Sequence, residues 1–212
     1  MRLLYSIVIL SMVLMPSTGM ARTIADFFAS EPGTVFPLLT RTARLDLVDY
    51  YNSGQSVAMQ NNLAGESRLL ALDSTFIKVQ TSASRDVEML MRMVGKDTVI
   101  TVIETVRTPV PDSRLTQWNN HWQQYVSNRL FSMPTIDDFI VGKMPGELRA
   151  DLQDAMIFPL IALTFKGEKH DVIEATHGLE RFLVKSEYER FAPYLKPSLT
   201  FSFNGLKIKP AK

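Results

Sequence analysis

The feature that most constrains the fold is a run in the first half of the chain in which apolar side chains recur at every second position. Val87, Met89, Met91 and Met93 alternate with Glu88, Leu90, Arg92 and Val94. This period of two is the period of a β-strand. Segments 68–73, 76–81 and 97–107 have a similar pattern, and the turns between them are too short for parallel crossovers. The sequence therefore predicts an antiparallel meander between Ser56 and Arg107.

Two helices are predicted before this meander. Thr23 and Asp26 have the spacing of a capping box, and an apolar stripe at i, i+3 and i+4 follows. After the break at Pro32-Gly33, Thr34 is predicted to cap the second helix, with Pro37 in its first turn.

Helices and strands also alternate in the second half. A helix is predicted to start near Thr135, and another covers 146–156. Strands are predicted at 157–165 and 171–176, followed by a short helix at 186–194. Asn204-Gly205 between apolar segments predicts a hairpin. The fold class is α+β, with N-terminal helices followed by an antiparallel sheet.

A possible internal duplication suggests the domain organisation. TIADFF at Thr23 recurs as TIDDFI at Thr135, and Pro-Gly follows each copy. A first helix-helix-sheet unit would cover 22–130, and a second, shorter unit 131–212, although the two could form one continuous domain. Such a tandem arrangement is similar in outline to the β-lactamase-inhibitor-protein type of fold. It would let two sheets join side by side. The alternative is convergence, because many capped helices share this pattern.

The first residues have the pattern of a signal peptide. Arg2 precedes an apolar stretch at 3–15, and Gly19 and Ala21 are the small residues expected before a cleavage site. The apolar stretch is shorter than the roughly 20 residues that span a membrane as a helix. We therefore expect a signal peptide at 1–21, and no later segment is apolar enough to be transmembrane.

Composition excludes several classes of function. The chain has no Cys, which rules out disulfides, thiol catalysis and cysteine–zinc sites. Its 23 basic and 22 acidic residues are balanced and form no basic block, so there is no electrostatic reason to expect nucleic acid as a partner.

The best binding candidates in the sequence are Trp118, Trp122 and Tyr125, which include both tryptophans of the chain. Exposed, these rings would stack on a sugar or hold a peptide segment. Buried, they would be core residues with hydrogen-bonded indole N–H groups.

No catalytic, metal or cofactor site is predicted. The sequence has no G-x-S-x-G, H-E-x-x-H or glycine-rich phosphate loop. His170, Glu174 and His177 would share a face only in a helix, whereas a strand is predicted there. Ser113 and His121 remain a possible pair for a hydrolase with dispersed catalytic residues.

Three segments carry a resemblance to a known family: TIADFFASEP from Thr23, LLTRTARLDLVDYYNSG from Leu38 and DSRLTQWNNHW from Asp112. They resemble an uncharacterised family of exported Bacteroidetes proteins, catalogued as a domain of unknown function. The resemblance implies the periplasm or outer envelope of a Gram-negative bacterium. It provides no catalytic residues to transfer.

The function these observations favour is a non-catalytic periplasmic binding or assembly module. It would act through a sheet face or the cleft between the two halves, on a protein, glycan or small ligand of the envelope. The alternatives are a carrier of a small apolar ligand and a hydrolase with dispersed residues.

Overall fold

The protein has an α+β fold of short helices and two antiparallel sheets. The computed structural model describes residues 22–126, 129–156, 158 and 160–211, so the predicted signal peptide lies outside the described residues. The helices are α1 Ile24–Ser30, α2 Arg41–Asn52, α3 Gly146–Ala155, α4 Leu179–Phe182 and α5 Lys185–Phe191, with 3₁₀ turns at Ile136–Phe139 and Ala192–Tyr194. Among these described residues, no helix is long and apolar enough to cross a membrane.

The first sheet is a six-stranded meander, as the alternation predicts. Its strands are β1 Ala58–Gln60, β2 Glu66–Leu72, β3 Phe76–Ser82, β4 Arg85–Val94, β5 Asp97–Val106 and β6 Asp112–Asn119. They follow each other across the sheet in chain order, and each is antiparallel to the next. The sixth strand lies beyond the predicted end of the meander, and it contains Trp118.

Both faces of this sheet are covered. One face packs against α1 and α2, in a buried cluster that includes Phe27, Phe28, Leu47, Met89 and Val102. The other face contributes Phe76, Leu90, Ile103 and Leu115 to a second cluster, which it shares with the second sheet and the later helices. Successive side chains of the alternating strand therefore point into two different buried clusters, one on each face of the sheet.

The second sheet has four strands in the order β10-β9-β8-β7. They are β7 Ile161–Lys166, β8 Val172–His177, β9 Ser198–Asn204 and β10 Lys207–Pro210. The predicted hairpin is present, with Gly205 at φ +60° in its turn. A left-handed residue at this position suits glycine, which has no Cβ to clash.

Strand β7 is linked to the first sheet by hydrogen bonds to side chains. Its backbone pairs with β8 of its own sheet. Three N–H groups along β7 donate to side chains of β6 and β4: Ile161 to Asp112 Oδ1 at 3.1 Å, Leu163 to Ser113 Oγ at 2.9 Å and Phe165 to Glu88 Oε2 at 2.9 Å. The two sheets are therefore separate in their backbone hydrogen bonding and are linked through these side chains. The duplication itself stays a prediction.

The second helix begins later than predicted. Thr40, and not Thr34, is its N-cap, with Oγ1 accepting the N–H of Ala43 at 3.2 Å. The N–H groups of residues 33–36 donate instead to the carboxylate of Glu31. Because those donors are satisfied outside a helix, the chain stays non-helical until Thr40.

A Thr–Asp pair starts a helical segment in each half. Asp26 Oδ2 accepts from the N–H and hydroxyl of Thr23, and Thr23 Oγ1 accepts the N–H of Asp26. Asp138 Oδ2 likewise accepts from the N–H and hydroxyl of Thr135. The second segment is only the 3₁₀ turn Ile136–Phe139, shorter than the predicted helix.

Candidate functional site

The three aromatic candidates lie where the chain folds back after β6, and the two tryptophans pack beside α1. Trp118 is 8% exposed, and its indole N–H donates to Thr116 Oγ1 at 2.9 Å. Trp122 is half-buried and packs edge-on against Trp118 and Phe27, with ring centroids 5.9 and 6.5 Å apart. Most of this aromatic surface is thus already in contact with the protein.

A tight turn brings Trp122 back onto Trp118. The N–H groups of His121 and Gln123 donate to Asn119 Oδ1, and Trp122 has a left-handed backbone with φ +59°. Tyr125 is half-buried, and its N–H donates to the Gln117 carbonyl at 2.9 Å. The structure therefore brings the two tryptophan rings together at one end of β6 and places the Tyr125 backbone opposite Gln117 of the same strand, and a role of the three residues in binding stays a prediction.

The histidines are dispersed. His121 is exposed in the turn after β6, His170 lies in the β7–β8 turn, and His177 ends β8. No group of three or more His, Asp or Glu side chains in the described part of the chain has the geometry of a metal site.

Ser113 has a structural role. Its hydroxyl is hydrogen-bonded to Thr105 Oγ1 at 2.8 Å and accepts the Leu163 N–H at 2.9 Å. The side chain suggested for a hydrolase therefore holds the edge of the second sheet.

A large groove lies along β9. It has a volume of about 670 Å³ and is open to solvent on one side. Its lining comes from four places: the segment 132–134, Asp138 in the 3₁₀ turn that follows, β9 with the residues just before it, and β10 with the residue after it. Pockets of this size commonly hold ligands.

The floor of this β9 groove is apolar and its rim is polar. Met133, Leu199, Phe201 and Ile208 form the floor, and all four belong to or pack against the second core cluster. Ser132, Lys196 and Thr200 are exposed at the rim. The groove thus places a rigid apolar surface next to hydrogen-bonding groups.

The two charged side chains of the groove differ in their contacts. Asp138 Oδ2 already accepts from the N–H and hydroxyl of Thr135, at 2.7 and 3.0 Å. Lys196 is fixed through its backbone, since its N–H donates to the Phe139 carbonyl at 2.8 Å. No carboxylate of the described residues lies within 4.0 Å of its ammonium group. The rim therefore carries one negative and one positive charge, and of these two side chains only the carboxylate of Asp138 has hydrogen-bond partners among the described residues.

A smaller cleft opens where the two sheets meet. This junction cleft has a volume of about 370 Å³ and lies between the β2–β3 turn, the end of β4 and the β7–β8 turn. Its lining includes Asp73, Arg92, Glu168 and Lys169. The second core cluster fills the rest of the space between the two sheets. The predicted cleft between the halves therefore corresponds only to the junction cleft at their edge.

Sequence reasoning missed both Lys196 and Arg92. Each is one charged residue in a strand or loop, with no motif around it. Each becomes a candidate only through contacts with segments far away in the chain. These segments are residues 132–134 for Lys196 and 203–205 for Arg92. No local signal in the sequence could have identified them.

Comparisons with known proteins show the family. Residues 17–208 match the family described as "Protein of unknown function (DUF3256)", and the chain belongs to this family. The resemblance to an uncharacterised Bacteroidetes family is thereby confirmed. No sequence among the curated proteins matches the chain.

A solved structure shares the fold. It is a domain of an uncharacterized protein from Porphyromonas gingivalis, 22% identical in sequence, with a TM-score of 0.77. The match covers 89% of this chain and 97% of that chain. The likeness shows a common α+β architecture, and it assigns no function.

Proposed function

We propose that this family member is a non-catalytic binding module of the bacterial envelope whose β9 groove holds an extended, acidic segment of a partner protein. The observation that carries the proposal is the apolar floor of the groove beside the unpaired ammonium group of Lys196. The sequence supports the location, because residues 1–21 have the pattern of a signal peptide.

The floor supports binding of apolar side chains. Phe201 and Ile208 are only 6% and 5% exposed, so they are held by the core, whereas Met133 and Leu199 are half-buried at the surface of the groove. A rigid apolar surface binds without a large ordering cost, and a methionine adapts to different ligand shapes.

The rim supports an acidic segment in particular. Lys196 lacks a carboxylate partner among the described residues, while the carboxylate of Asp138 already accepts two hydrogen bonds from Thr135. An acidic side chain would therefore gain a charge-assisted hydrogen bond with Lys196. The hydroxyls of Ser132 and Thr200 can bond the backbone of an extended segment.

The lining favours a peptide over the other predicted ligands. Sugar sites usually present an exposed aromatic face, and the aromatic ring of this groove, Phe201, is buried. A carrier of a small apolar ligand needs an enclosed site, whereas this groove is open along one side and has a polar rim.

Selection from a displayed library of random peptides tests the proposal. We expect enrichment of sequences with an acidic residue flanked by apolar residues. Lys196→Glu should weaken their binding at least about tenfold, because a charge-assisted hydrogen bond is replaced by repulsion between like charges. Thr200→Trp, at an exposed position of the lining, should also weaken it by filling the groove.

Lys96→Glu is the matched control, since Lys96 is exposed in the β4–β5 turn and lies outside the groove. It should bind the selected peptides like the wild-type protein. A library that yields no enriched peptide, or peptides that bind both groove variants as tightly as wild type, would contradict the proposal.

A further inference from the structure

The junction cleft contains an arginine without a counter-charge. The guanidinium of Arg92 lies over the Phe203 ring, with Cζ 3.6 Å from the ring centroid, and Nη2 donates to the Gly205 carbonyl at 3.1 Å. Both contacts come from the β9–β10 hairpin, while Arg92 itself belongs to β4. The guanidinium is therefore fixed between the two sheets.

Arg92 is half-buried, yet no carboxylate of the described residues lies within 4.0 Å of it. Its Nε is shielded from solvent and has no hydrogen-bond partner there. Burial lowers the pKa of Arg92 to about 10, so the group remains charged at neutral pH. Partly buried charges are usually paired, because desolvation of an unpaired charge is costly.

The carboxylate of Asp73 in the same cleft already has partners. It accepts the N–H groups of Thr75 and Phe76 at 2.6 and 2.7 Å and contacts His170 Nε2 at 3.1 Å. Burial acts to raise the pKa of Asp73, but these hydrogen bonds outweigh burial and hold the pKa below its usual range. Asp73 is thus a fixed negative charge that pairs with groups other than Arg92.

We propose that the junction cleft binds a carboxylate through the guanidinium of Arg92, with Lys169 at the rim contributing a second positive charge. A guanidinium carries five N–H donors in a planar fork that fits the two oxygens of a carboxylate. Only one contact, to the Gly205 carbonyl, uses that fork within the described residues. This site is independent of the β9 groove.

The surroundings select a monoanion over a dianion. Asp73 and Glu168 line the same cleft and repel negative charge. The repulsion acts twice on a doubly charged sulfate or phosphate, whereas a carboxylate carries a single charge. A volume of about 370 Å³ suits a small carboxylic acid or the terminal residues of a peptide.

NMR of the arginine Nε–H groups tests the site in the wild-type protein. Titration with sodium acetate should shift the Arg92 resonance saturably, and sodium chloride at equal ionic strength should not. Sodium sulfate should bind more weakly than acetate. Identical effects of acetate and chloride would overturn the site, and tighter binding of sulfate would overturn the assignment to a carboxylate.

Two peptides distinguish the sources of the carboxylate. N-acetyl-trialanine with a free C-terminus should saturate the Arg92 shift, and the same peptide with a C-terminal amide should not. At least tenfold tighter binding of the free peptide than of acetate would identify a peptide C-terminus. Equal binding of the two would identify a small free acid, and saturation by the amide would overturn the proposal.

Variants separate binding from structure. Arg92→Gln should abolish the stabilisation of the protein by acetate, measured as a shift in Tm. Arg92→Lys keeps the charge over Phe203 but loses the fork, so it should fold and bind acetate at least fivefold more weakly. Arg68→Gln, at an exposed arginine that pairs with Glu66, is the matched control. Unchanged acetate binding in Arg92→Lys would count against the guanidinium as the ligand-binding group.

Discussion

Glu31 and Arg44 form a buried ion pair that holds the loop between α1 and α2. Glu31 Oε2 lies 3.6 Å from Arg44 Nη1, and the two residues are 2% and 3% exposed. Glu31 also accepts the N–H groups of residues 33–36. Arg44 donates to the backbone carbonyls of Ala29, Glu31 and Leu39. The pair thus satisfies backbone groups that a non-helical loop would otherwise leave buried and unpaired.

Removing one partner of this pair should strongly destabilise the protein. We expect Arg44→Met to lower the free energy of unfolding by about 3 to 5 kcal/mol, because it leaves a buried charge and several carbonyls without a donor. Urea unfolding followed by tryptophan fluorescence measures the change. Arg41→Met, at an exposed position of the same helix, should stay within about 0.5 kcal/mol of wild type. Equal effects of the two substitutions would contradict the role of the pair.

The contact of Glu88 with β7 gives a second prediction. Glu88→Ala should cost about 2 kcal/mol, because it leaves the Phe165 N–H and the Thr164 hydroxyl without an acceptor inside the protein. Glu66→Ala removes a carboxylate from an exposed pair with Arg68 and should cost less than about 1 kcal/mol. Chemical denaturation of both variants compares the effects, and a Glu88 variant as stable as the Glu66 variant would rule out this link between the sheets.

The helix caps test where α2 begins. Thr23→Ala and Thr40→Ala should each cost about 1 kcal/mol, since each removes the side-chain acceptor of a helix N-terminus. Thr34→Ala should be nearly neutral, because the Thr34 N–H is bound by Glu31 and its side chain is exposed. Thermal unfolding of the three variants would show the difference. A costly Thr34→Ala together with a neutral Thr40→Ala would restore the start predicted from the sequence.

The pH dependence of stability should depend on His177. Burial lowers the pKa of His177 below its ordinary value, against the smaller opposing effects of the Lys196 backbone and of Glu180. As the pH falls below about 6.5, the unfolded chain therefore takes up this proton before the folded protein does. The stabilisation is present above that pH and is lost on acidification towards the folded pKa.

Unfolding free energies between about pH 7 and about pH 5.5 measure this loss. Wild type should lose stability on acidification more steeply than His177→Gln. His121→Gln, at an exposed histidine in the turn after β6, should keep the wild-type slope. A His177→Gln protein with the same slope as wild type would show that another group causes the acid sensitivity.

Local patterns were sufficient to predict much of the fold. The alternation at 87–94, the Asn204-Gly205 turn and the Thr23 capping box each depend on neighbouring residues, and all three are confirmed. The predicted start of α2 was wrong because the carboxylate of Glu31 binds the N–H groups that Thr34 was expected to cap. Its charge is compensated by Arg44, which follows later in the sequence.

Long-range contacts explain why the candidate sites could not be predicted. Arg92 has an ordinary place in the alternation of β4, and only the packing of Phe203 and Gly205 against it makes it unusual. Trp118 and Trp122 are conspicuous in the sequence, yet their rings pack on each other and on Phe27. Residue type alone does not distinguish a binding ring from a core ring.

Chemical-shift mapping of a library-selected acidic peptide on the ¹⁵N-labelled protein tests the central claim most directly. We expect the largest shifts at the backbone amides of Ser132, Met133 and residues 198–201, with the Trp118 and Trp122 indole N–H signals unchanged. Shifts centred on the two indole signals would instead place binding at the aromatic turn after β6, and they would contradict the assignment of the β9 groove.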